Sequence, residues 1–164
     1  MELEGPYLAF ALFCERVLQE QDGVLSAIRI VDRLVVQKSP LAGKKKGGPD
    51  PIPVLPITML IGLKSGGFGG VGMLSVRAIA PSGKEFPQRS EVMVELKGDD
   101  GGGANVIINA NTSVKEDGVY WFDVLFENRL LTRMPLSVSR SEPQIATVEK
   151  PARKKSPPRS RRKS

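Results

Sequence analysis

From Tyr7 to Val138 the chain is cut, roughly every ten residues, by glycine, proline or aspartate-glycine turns into short apolar segments, none of them with a helical period. That spacing excludes a helix bundle and a βαβ array, which both need long helical stretches between turns. A stack of short strands remains. The 17 glycines and 13 prolines supply the turns, and 40% hydrophobic residues supply a core for one domain.

The segments differ in how plainly they show their faces. Tyr7 to Cys14, YLAFALFC, is unbroken apolar sequence and reads as a strand buried on both faces. The polar segment ERVLQEQDG bounds it, with a short helix across Glu15 to Gln21 as the alternative. Asp22-Gly23 marks a turn, and VLSAIRIVDRLVV then reads as a second long strand bent near Asp32. Residues 38–53, KSPLAGKKKGGPDPIP, have no period and read as an exposed connection.

Val54 to Leu63 alternates, with Ile57, Met59, Ile61 and Leu63 on one face and Leu60 the misfit. Across GGFGGVG it is expected to form a hairpin with the strand of Leu74, Val76 and Ala78, which ends at the turn Pro81-Ser82-Gly83-Lys84. Val92, Val94 and Leu96 face inward in the next segment. Val106, Ile108 and Ala110 do so in the one after, leaving Asn105, Asn109 and Asn111 on a wet face. Last, Tyr120, Phe122, Val124 and Phe126 share a face before a turn at Glu127-Asn128-Arg129. The count is about eight strands, an antiparallel β-sandwich or small barrel.

YLAFALFCERV, GVLSAIRIVDRL, the Pro81-Ser82-Gly83 turn after an alternating strand, and GVYWFDVLFENRLLTRMPLSV together resemble an uncharacterised family of small bacterial β-sandwich proteins over Tyr7 to Val138. The resemblance implies an immunoglobulin-like sandwich. It transfers no activity, ligand or functional residue.

The formal charge of +6 belongs to the end of the chain. Lys150, Arg153, Lys154, Lys155, Arg159, Arg161, Arg162 and Lys163 are eight of the 24 basic residues, and the residues before Lys150 hold 16 basic against 18 acidic, or −2. The expected organisation is a sandwich over residues 1–140 and a disordered basic tail over 141–164. Eight cations attract polyanions in a salt-dependent way. Without aromatics to stack on bases, the tail would not discriminate between nucleic acids.

Catalytic chemistry has little to work with. There is no histidine, which removes Ser-His-Asp and Cys-His catalysis and the commonest zinc ligand. Gly67-Phe68-Gly69-Gly70-Val71-Gly72 matches G-x-G-x-x-G in letters, but a strand pattern follows where a phosphate site needs a helix. Asp50, Asp99, Asp100, Glu116 and Asp117 lie in loops without a calcium-loop spacing, and Cys14 reads as a small buried core residue. No cofactor or metal is expected. Trp121 shares a face with Asp123 and Leu125 and, with Lys44, Lys45 and Lys46, is a candidate partner surface.

The opening residues carry Glu2 and Glu4 where a signal peptide is positive, and no apolar run reaches membrane-spanning length. The expectation is a cytoplasmic, non-enzymatic interaction module with an unknown protein partner, for which homo-oligomerisation is compatible. The alternative is a nucleic-acid-associated protein whose tail binds phosphates and whose sandwich is an oligomerising or targeting platform.

Overall fold

A computed structural model describes residues 5–37, 52–98 and 101–141. Nine strands run through them: β1 (Tyr7–Gln19), β2 (Leu25–Val31), β3 (Arg33–Gln37), β4 (Val54–Lys64), β5 (Gly69–Ile79), β6 (Glu85–Lys97), β7 (Gly103–Ser113), β8 (Gly118–Phe126) and β9 (Arg129–Ser141). No helix occurs among the described residues. The strands form two sheets, of order β2-β1-β4-β7 and β3-β9-β8-β5-β6. All pairings are antiparallel except β3 with β9, which is parallel.

This order is that of an immunoglobulin-like sandwich: β9, β8 and β5 neighbour one another as strands G, F and C do, while β1, β4 and β7 follow as A, B and E. Tyr120, near the start of β8, donates its hydroxyl to the Glu116 carbonyl at 2.9 Å, the tyrosine corner of such folds.

The alternating segments bury the faces their sequences assign. Ile57, Met59, Ile61 and Leu63 of β4 meet Tyr120, Phe122, Val124 and Phe126 of β8 in one core with Val94, Leu96, Val106 and Ile108. Between the sheets, Phe13 and Phe122 meet edge-on, ring centroids 5.0 Å apart. On β5, Gly72 makes room for Phe126, whose ring carbon would lie 2.2 Å from a Cβ there.

Three expectations are corrected. The second long strand is two strands, because at Asp32 the chain leaves β1 and joins β9; the Asp32 carbonyl accepts the Ser137 N–H at 2.9 Å. That raises the count from eight to nine. β4 and β5 are not a hairpin, since they lie in different sheets. The loop between them crosses over, with Gly66 and Gly67 at positive φ and Phe68 packed edge-on against Phe126 at 5.4 Å. β1 runs as strand to Gln19, without a helix, and is not buried on both faces: Tyr7 and Phe10 are exposed. Cys14 is buried as expected, 3% exposed; it pairs with Thr58 and Ile30, one step from the inward-facing pair Phe13 and Met59, so its burial is on the other side of the sheet.

Candidate functional site

Strand β8 is largely apolar, and period two turns its even residues inward and Trp121, Asp123 and Leu125 outward. Pairing sets what stands beside them. Register places Arg77 of β5 and Arg133 of β9 on either side of Asp123, and Arg89 of β6 beyond Arg77. One row across the outer face of the five-stranded sheet therefore reads Arg89, Arg77, Asp123, Arg133.

Asp123 has no exposed surface although it lies on an outward face, because the arginines close over it. Arg133 donates Nε to Oδ1 at 2.5 Å and Nη2 to Oδ2 at 3.0 Å. From the other side, Arg77 donates Nε to Oδ2 at 3.0 Å, with Nη2 at 2.9 Å. The Arg133 hydrogen bonds hold the Asp123 carboxyl below the usual carboxylate range, with help from Arg77 and against burial, which pushes it upward. The same pairing raises Arg133. Glu85 ties the row's end, 2.7 Å from Arg89 and 3.8 Å from Arg77. Three guanidiniums thus face two carboxylates.

Trp121 occupies the next row, between Ile79 and Pro135. It is 37% exposed, and the Arg133 guanidinium lies over its ring at 5.8 Å from the centroid. Arg133 therefore joins the buried acid to the exposed indole and fixes the orientation of both. A rigid arginine and a rigid aromatic at a surface can grip a carboxylate and an apolar side chain together.

Residues 9–139 match a family model. The chain belongs to DUF6941, a family of unknown function. This DUF6941 domain is similar to a solved structure described as an immunoglobulin-like protein from Pseudomonas aeruginosa, at 14% identity over 82% of this chain and 97% of that one, with a TM-score of 0.41. No curated protein matches it.

Of the residues singled out in the sequence, Trp121 lies on this face. Lys44, Lys45 and Lys46 lie outside the described residues, as do Lys150, Arg153, Lys154, Lys155, Arg159, Arg161, Arg162 and Lys163 of the tail. Sequence reasoning missed Arg77, Arg133 and their clamp on Asp123. The available signal was a lone acid inside VYWFDVLF, but its partners depend on registers across three strands. Among the acidic loop residues, Glu116 accepts from the Ser82 hydroxyl at 2.7 Å and Asp117 from Arg140 at 2.6 Å, while Asp50, Asp99 and Asp100 lie outside the described residues. No group of three or more metal-ligating side chains occurs among the described residues. After the glycine loop the chain continues as strand β5, without the helix a pyrophosphate requires.

At the end of the sandwich, Phe86 and Tyr120 floor an open cleft of about 510 Å³ with Lys84 and Lys115 among its lining residues. Among the described residues its carboxylates are Glu85 of the arginine row and Glu116, which Ser82 holds.

Proposed function

We propose that this DUF6941 domain is a non-enzymatic protein-interaction module that binds through the outer face of β8, β9 and β5. The partner's contact segment carries a carboxylate for Arg133 and Arg77 and an apolar side chain for Trp121. One observation carries the reading: a fully buried aspartate immobilises two arginines, one of which is stacked on a half-exposed tryptophan. Tryptophan and arginine are the residues most often found at the energetic centre of protein interfaces, and holding them rigid lowers the entropy lost on binding. The eight cations between Lys150 and Lys163 add nonspecific attraction to polyanions.

The second reading makes the tail the functional element and the sandwich its platform; the concentration of charge in the last fifteen residues favours it. Two comparisons separate the readings. Partners retained by the wild-type chain from its native cells should be lost with Trp121→Ala and with Arg133→Ala, while both variants stay folded; retention of the same partners by both variants overturns the first reading. A chain ending at Ser141, where β9 ends, should lose salt-dependent retention of DNA and RNA. If the full chain shows no such retention at low ionic strength, the tail contributes nothing to polyanion binding.

A further inference from the structure

Among the described residues, four strands end the two sheets with one edge unpaired: β2, β7, β3 and β6. Three of them are guarded. β2 spans 7 residues and carries Arg29 at φ 52°, β3 spans 5, and β6 holds Pro87 with Glu85, Arg89, Glu91, Glu95 and Lys97. Prolines, charges, short length and irregular backbone are the usual means of blocking edge pairing. β7 has none of these. Its 11 residues, GANVIINANTS, contain no proline and no charge, and pair with β4 from Gly103 to Ser113 without a register shift. In an immunoglobulin-like sandwich strand D lies beside strand E, but among the described residues nothing pairs with the far side of β7.

The sequence of β7 says what fits there. Ala104-Asn105-Val106-Ile107-Ile108-Asn109-Ala110 reads nearly the same in both directions about Ile107. An antiparallel copy of the same strand, related by a two-fold axis at Ile107, would place Ile107 opposite Ile107, Asn105 opposite Asn109, Val106 opposite Ile108 and Ala104 opposite Ala110. Asparagine then meets asparagine, and apolar residues meet apolar residues, on the respective faces. Asparagine suits such symmetry because its amide both donates and accepts, whereas a lysine or glutamate row would repel its copy. Asn109 is already oriented: its Oδ1 accepts from the Thr58 hydroxyl at 2.9 Å, so its N–H groups are the ones offered to the Asn105 carbonyl of the other copy. On the outer face Ile107 is 40% exposed, beside the buried Leu60.

We propose that β7 is a homodimerisation edge, and that two copies of the chain pair their β7 strands about Ile107 to join two four-stranded sheets into one continuous sheet. The interface is isologous, so it closes as a dimer and consumes the edge that could otherwise recruit further strands. It is separate from the Trp121 face, which lies on the other sheet.

Sedimentation velocity of the full chain over a dilution series tests this. The wild type should show a monomer–dimer transition. Ile107→Lys and Ile107→Glu each set like charges face to face on the axis and should move that transition to at least about tenfold higher concentration. An equimolar mixture of the two variants should restore it. Hydrogen exchange of the wild type supplies a readout that needs no variant: protection of β7 amides should rise with protein concentration. A wild type that stays monomeric at every concentration, a lysine variant that dimerises like the wild type, or a mixture that stays monomeric overturns the proposal.

Discussion

Replacing Asp123 by Asn keeps the shape of the side chain and removes its charge, which isolates what the arginine clamp contributes. In the native protein the carboxylate has no exposed surface and accepts from Arg133 at 2.5 and 3.0 Å and from Arg77 at 3.0 and 2.9 Å. A hydrogen bond to a charged partner contributes about 1.5–3 kcal/mol net, and the contacts here come from two such partners. The arginine side chains are 30% and 47% exposed, so after the substitution they turn to water and recover part of the loss. The expected destabilisation is therefore about 2–3 kcal/mol, or about 6–10 °C in Tm for a domain of this size.

The clamp also fixes a pH dependence. The folded carboxyl titrates below its unfolded value of about 3.9, so its contribution is fully present above that value and is lost as pH falls through the folded pKa. Urea unfolding of wild type and Asp123→Asn from neutral pH down to acid should show a constant stability gap to about pH 4 and a shrinking gap below. Equal stability at neutral pH, or a gap that does not change in acid, would show that the arginine clamp on the Asp123 carboxylate does not stabilise the fold.

Other perturbations read other parts of the fold. Phe122→Ala removes the ring that meets Phe13 at 5.0 Å, and should cost about 3–5 kcal/mol in urea unfolding. Gly72→Ala puts a methyl 2.2 Å from the Phe126 ring, and should lower stability by about 1–3 kcal/mol, with part recovered in Gly72→Ala/Phe126→Leu. Burial pushes the Cys14 thiol up, so it should react with a thiol reagent far more slowly in the native protein than in urea at the same pH; equal rates would place it at the surface.

What could be read from the sequence follows the physics of each segment. β6, β7 and β8 were legible because each buries mainly one face, and a period of two records which residues do so; β4 shows the same period, although Leu60, its misfit, is buried on the outer face. β1 misled because an apolar run does not say that one of its sides faces solvent. Phe10 lies over Gly62 on the outer face, a contact set by pairing with β4. The glycine loop announced a turn but not which sheet the chain enters next; the packing of Phe68 on Phe126, far along the chain, belongs to that crossing. At the candidate site, the outward placement of Trp121 and Asp123 was readable from alternation. The arginines were not, because β5 and β9 reach β8 through registers that no local pattern specifies.

Whether the proposed protein partner docks on the face around Trp121 is decided by a photo-cross-linking residue at Pro135. Pro135 is exposed and pairs with Trp121 across β8 and β9. In the native cell, irradiation should give a discrete adduct that disappears when Trp121→Ala or Arg133→Ala is added in a folded chain. No adduct, or an adduct that both substitutions leave unchanged, would mean that no protein partner docks on this face.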